Sequence, residues 1–129
     1  MVMITGGAYQ GKRLYCLENY NLKDKDIIDG GNCEIDKINL FNARCINNYH
    51  RLVQRLGNNS LEFTKKLCKT NKNVIIIINE IGCGIVPLNK NERVWRENVG
   101  RCGCIIASSS EIIIRMVCGI PTVIKDNLK

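Results

Sequence analysis

The sequence predicts an α/β fold with a mostly parallel sheet, on three observations. A short apolar run at residues 1–5 stops at Gly6-Gly7 and is followed by helix-forming residues. A continuous β-branched run, Val74-Ile75-Ile76-Ile77-Ile78, has the pattern of a strand covered on both faces, as at the centre of a parallel sheet. Around these, segments with strand and helix periodicity alternate along the chain, which is the signature of helices layered on a sheet.

Taken in order, residues 1–5 read as a strand, Gly6 to Gly11 as a glycine loop, and residues 11–20 as a helix with Leu14 and Leu17 on one face. Ile27-Ile28 reads as a second strand that ends at Asp29, where Gly30-Gly31 mark a turn. Over residues 38–56 the apolar positions Ile38, Phe41, Cys45, Tyr49, Leu52, Val53 and Leu56 recur at helical spacing, so one helix is predicted there, stopped by Gly57-Asn58-Asn59. Ser60 is a fitting N-cap for the next helix, which turns Leu61, Thr64, Leu67 and Cys68 inward. After the central strand at 74–78, a polar helix is predicted over residues 89–108, and strands at 112–117 and 121–124 close the fold.

A chain of 129 residues is long enough for one hydrophobic core, so a single domain is expected over 1–129. The apolar fraction of 45% and the charged fraction of 24% argue against disorder. Net charge is +7, shared between residues 1–70 and 71–129, and aromatic residues make up only 5%. A dispersed excess without stacking platforms argues against nucleic acid as the partner. The cysteines include no C-x-x-C pair, and the sole histidine, His50, is far in sequence from Cys102-Gly103-Cys104; buried thiols are expected rather than zinc. No apolar run approaches the length of a membrane span. Met1 to Ile4 lead straight into glycines without a charged and apolar leader, and a reducing, cytoplasmic location is expected.

The chemistry centres on the glycine loop. Gly6, Gly7, Ala8, Tyr9, Gln10, Gly11 and Lys12 match the first seven places of G-x-x-x-x-G-K-[ST], between a predicted strand and helix as that motif requires. Such a loop turns backbone N–H groups toward phosphate oxygens, the following helix offers its positive end, and Lys12 reaches the terminal phosphates. The eighth place is Arg13, which has no oxygen with which to ligate magnesium. Asp29, ending the second strand, has two readings: a metal-organising carboxylate, or a turn residue before Gly30-Gly31.

Asn79-Glu80-Ile81-Gly82-Cys83-Gly84-Ile85-Val86-Pro87 follows the central strand and resembles the N-E-V-G-x-G-I-V-P segment of the adenosylcobinamide kinase / adenosylcobinamide-phosphate guanylyltransferase family. The likeness continues through Arg93, Arg96, Gly100 and Arg101, in a helix of the family's form R-x-x-R-D-x-x-G-R with Glu97 in the aspartate's place, and returns at Thr5 to Lys12. It implies a P-loop NTPase-like three-layer sandwich that binds ATP or GTP with magnesium. It also implies phosphorylation of the aminopropanol hydroxyl of adenosylcobinamide in cobalamin biosynthesis, and assembly into homo-oligomers. On that resemblance Lys12, Asp29 and Glu80 are the catalytic candidates, with Asp29 and Glu80 organising magnesium. Gly6 to Arg13 would hold the nucleotide, and Asn79, Glu80, Gly82, Gly84, Arg93, Arg96 and Arg101 would contact substrate.

Alternatives remain for several of these residues. Glu80 could instead pair with Arg93 or Arg96, the arginines could form a solvated helix face, and Trp95 serves packing or a subunit contact. In the family, a second strand and a histidine-bearing helix precede the strand with the acidic residue; here that stretch is expected to be absent, with residues 26–33 resembling the family's third strand. His50 falls inside the predicted 38–56 helix and does not match the guanylylated histidine. A non-catalytic relative that binds a nucleotide or corrinoid is the alternative to a kinase.

Overall fold

A computed structural model of the chain describes residues 1–8, 10–35, 40–81 and 89–128. Its centre is a six-stranded sheet in the order β2-β3-β4-β1-β5-β6. The strands are β1 (Val2–Gly6), β2 (Ile27–Asp29), β3 (Cys45–Asn47), β4 (Ile75–Asn79), β5 (Ile112–Val117) and β6 (Ile120–Asp126). β1 to β5 are parallel, and β6 returns antiparallel to β5 across a tight turn in which Cys118 and Gly119 both have positive φ. That pair of left-handed residues is what a two-residue hairpin needs to follow the twist of its strands.

Side-chain alternation divides the core into two layers. Met3, Ile46, Ile76, Ile78 and Ile113 face the layer formed by α2 (Tyr49–Leu56), α3 (Ser60–Thr70) and α4 (Lys90–Ser109). Ile4, Cys45, Ile75, Ile77, Ile114 and Met116 face the other way, where α1 (Lys12–Asn19) contributes Cys16. β4 therefore buries both faces, as its unbroken isoleucine run predicts.

One predicted element is corrected. The single helix expected over 38–56 is, among the described residues, a strand β3 followed by a shorter helix α2. Asn48, at φ 54, makes the break: its left-handed backbone ends β3 and turns the chain into α2 within one residue. Asparagine tolerates that conformation better than most residues because its side chain bonds locally. β2 lies at the sheet edge, and β3 occupies the place between β2 and β4. No helix among the described residues is long and apolar enough to cross a membrane.

Candidate functional site

Because β1, β3 and β4 run parallel, their carboxyl ends open on one edge of the sheet, where α/β folds place ligands. A cleft of about 510 Å³ lies there. The loop after β1 and the start of α1 form one wall with Ala8, Gln10, Gly11, Lys12, Arg13 and Leu14. The ends of β3 and β4 and the first turn of α2 form the other with Asn47, Asn48, His50, Arg51 and Asn79. The amino ends of α1 and α2 both reach this cleft, so the positive ends of two helix dipoles converge on it.

The glycine loop is shaped by close approach. Gly6 has φ +144, and a Cβ there would lie 2.4 Å from the Met116 carbonyl oxygen of β5. Gly11, at φ +86, precedes the first residue of α1. Gln10 tethers the loop to the β5–β6 turn: its side-chain oxygen accepts from the Cys118 N–H and its carbonyl from the Gly119 N–H at 3.2 Å. Lys12 is buried, and its ammonium donates to the Gly7 carbonyl at 2.6 Å, so the lysine is folded back over its own loop. Burial lowers its pKa, opposed by the negative charge of Glu80.

His50 reaches the cleft from α2 although it is only 5% exposed. The Asn79 N–H donates to its Nδ1 at 3.2 Å, and its carbonyl accepts from the Trp95 indole N–H at 2.8 Å. Burial, reinforced by Arg51 and Lys12 and opposed by Asp29, lowers its pKa to about 4. It is therefore a neutral imidazole at pH 7 with its proton on Nε2.

The structure separates the acidic candidates. Asp29 Oδ1 accepts from the Gly31 N–H at 2.8 Å and from Asn48 Nδ2 at 3.0 Å. Desolvation pushes its pKa up, but these two hydrogen bonds, with Arg51 and Arg55, outweigh it and hold the carboxyl below its usual range. Glu80 is gripped by Arg115, whose Nε donates at 2.8 Å and whose second nitrogen donates at 3.1 Å. The pairing of Glu80 with Arg93 or Arg96 is thus replaced by one with Arg115. Asp29 is level with Asn47, and Ile46 with Ile76, so Glu80 is two strands across and three residues further along. At strand spacing and rise this is roughly 14 Å between backbones. Alternation also turns Asp29 toward the α1 face and Glu80 toward the other. A single ion does not bridge them in this arrangement.

The magnesium that the resemblance implies is not matched by these donors. The described lining of the cleft contains no Asp or Glu, the loop's eighth place is an arginine paired with Asp24, and the strand end nearest the loop's partner β4 carries the amides Asn47 and Asn48. Magnesium takes carboxylates in preference to amides and has no use for a guanidinium. No group of three or more His, Cys, Asp or Glu side chains among the described residues is placed to hold a metal ion.

On α4, Arg96 pairs with Glu92 at 3.4 Å and Arg101 with Glu97 at 2.6 Å, while Arg93 is exposed. None of the three lines the cleft. Tyr9, Gly82 and Gly84 lie outside the described residues. The sequence reading passed over Asn47, Asn48, Arg51 and Arg115; the Asn47-Asn48 pair is a turn signal inside the supposed helix and could have exposed the first two.

No curated protein matches the chain. A family model described as cobinamide kinase / cobinamide phosphate guanyltransferase matches residues 29–124, which runs from the last residue of β2 through β3, β4 and β5 and most of β6. With that match over most of its length, the chain belongs to the cobinamide kinase / cobinamide phosphate guanyltransferase family of cobalamin biosynthesis.

Proposed function

We propose that the cleft at the carboxyl edge is a P-loop site that holds ATP or GTP by its phosphates, and that the protein is a kinase of the adenosylcobinamide type. The observation that carries this reading is Lys12, buried at the mouth of α1 and folded onto the Gly7 carbonyl at 2.6 Å. A terminal phosphate entering the loop replaces that carbonyl as acceptor and relieves a buried ammonium of its desolvation cost. Lys12, with Arg13 and Arg51, supplies positive charge where negative charge spreads over the transferring phosphoryl group. The attacking group is the aminopropanol hydroxyl of adenosylcobinamide.

Guanylyl transfer through histidine is not part of this reading. With Nδ1 accepting from Asn79 and Nε2 carrying the proton, neither nitrogen of His50 offers a free lone pair for attack on phosphorus.

A second reading, nucleotide binding without turnover in a regulatory or assembly role, is favoured by the lack of any carboxylate in the described lining. Titration calorimetry with ATP and GTP, followed by assay of phosphate transfer to adenosylcobinamide, separates the two. Binding with turnover supports the kinase, binding without turnover supports the second reading, and no binding refutes both.

A cytoplasmic, self-associating protein belongs to the same proposal. Ile120, Val123 and Ile124 on the edge strand β6 are each more than half exposed, with Val117 and Leu128 nearby, which supports an interface between copies of this chain. Sedimentation equilibrium giving a monomer at micromolar concentration would refute that part.

A further inference from the structure

We infer that this cleft binds the phosphates of a nucleotide as the metal-free polyanion, the protein's own cations standing where a divalent ion would otherwise neutralise charge. The inference rests on the phosphate-binding reading above and deepens it. Three cations, Lys12, Arg13 and Arg51, line the cleft, Arg13 being also paired with the exposed Asp24 outside it, and no acid lines the cleft among the described residues. The carboxylates of Glu80 and Asp29 are engaged by other donors: both oxygens of Glu80 accept from Arg115, and Asp29 Oδ1 accepts from Gly31 and Asn48. The amino ends of α1 and α2 add positive potential from two directions.

A free triphosphate carries about two more negative charges than its magnesium complex, because the ion cancels two of them. In a site with cations on its walls and no carboxylate to hold the ion, the more highly charged form interacts more strongly. A hydrated magnesium ion bound to the phosphates would also have to sit against Arg13 and Arg51, where its charge is opposed. His50 contributes as a neutral donor: the Asn79 N–H fixes the proton on Nε2, leaving an N–H that asks for an acceptor such as a phosphate oxygen and cannot ligate a metal.

The test is calorimetric titration of the full chain with ATP and, separately, with inorganic tripolyphosphate, each in EDTA and in excess magnesium. The expected result is binding of both in EDTA, weakened about threefold or more by saturating magnesium, as loss of two charges at a screened cationic site requires. Lys12→Gln is expected to weaken binding in EDTA at least about tenfold, the loss of one charge-assisted hydrogen bond. Circular dichroism on that variant confirms that the loss is not unfolding. Binding that appears only with magnesium, or tightens with it, overturns the inference while leaving the nucleotide site standing. Absence of binding under both conditions removes the nucleotide site itself and the inference with it.

Discussion

Replacing Gly6 by alanine tests the geometry of the loop most directly, because the structure states what the added methyl would meet. Its Cβ would lie 2.4 Å from the Met116 carbonyl oxygen, and at 3.4 Å from both the carbonyl carbon and the nitrogen of the same residue. These are backbone atoms in β5, paired with Gly6 in the parallel ladder, so no side-chain rotation relieves the clash. The residue also has φ +144, a conformation that side chains rarely adopt. Backbone strain of this kind costs about 1–3 kcal/mol. Inserting a methyl into packed structure costs about 1–3 kcal/mol more. The stiffer unfolded chain returns about 0.4–1 kcal/mol. The net loss is about 1–5.5 kcal/mol. In urea, at a slope of about 2 kcal/mol per molar, the midpoint should fall by about 0.5–3 M. Gly100→Ala is the internal contrast, since its Cβ would meet nothing within 4 Å on the exposed side of α4. That change should stabilise by about 0.5–1 kcal/mol. A Gly6→Ala loss below about 0.5 kcal/mol would refute the close approach of β1 and β5 on which the loop is built.

The remaining predictions concern His50, Glu80 and the thiols. As the only histidine, His50 gives a single imidazole resonance, expected to titrate near 4; a midpoint near the ordinary value for histidine would contradict its burial. Its folded pKa lies below its unfolded one, so the unfolded chain binds more protons between pH 6.5 and about 4. His50 therefore lends stability above that window and loses it as pH falls, by up to about 3 kcal/mol. Urea titrations of wild type and His50→Gln at pH 7 and pH 5 should show the wild type losing more. Arg115→Gln removes one side of a partly exposed ion pair and should cost no more than about 1 kcal/mol by urea unfolding, a larger loss marking a structural role beyond the pair. Thiol labelling of the native protein should reach the exposed Cys104 and Cys118 first and Cys16 and Cys45 only on unfolding; early labelling of the last two would contradict the packing of α1 on the sheet.

Much of this fold was legible because its signals are long or unambiguous. The isoleucine run of β4 admits only a strand covered on both faces, and the glycine loop between an apolar run and helix formers marks β1 and α1. The closing strands β5 and β6 were legible from two apolar runs, though not their antiparallel pairing through Cys118-Gly119. β3 was not, for a physical reason: it is only three residues, and Cys45-Ile46 sit where a helical stripe could also place apolar residues. What makes it a strand is pairing with β2 and β4, a tertiary contact that periodicity does not contain. The same is true of the site. Lys12 and the glycines follow from a contiguous motif, whereas His50, Arg51 and Asn79 meet only because the fold brings β4 beside β3 and α2.

The strand that periodicity missed also bears on where Asp29 stands. Read without β3, Asp29 stands at the end of a strand close to the glycine loop, a natural seat for a metal-organising carboxylate. With β3 and β4 in place, β2 is three positions from β1, roughly 14 Å across the sheet, and Asp29 spends its oxygen on the turn at Gly31 and on Asn48. The strand ends that do face the loop carry Asn47 and Asn79. Substituting Asn47→Asp tests this directly: a carboxylate at the end of β3, facing Lys12 across the cleft, supplies the acid that the described lining lacks. If charge balance governs the site, that variant should bind ATP more weakly than wild type in EDTA and should recover affinity when magnesium is added, by about threefold or more. Equal loss of affinity with and without magnesium would show that the carboxylate merely repels phosphate there, and that the end of β3 is not where a metal would sit.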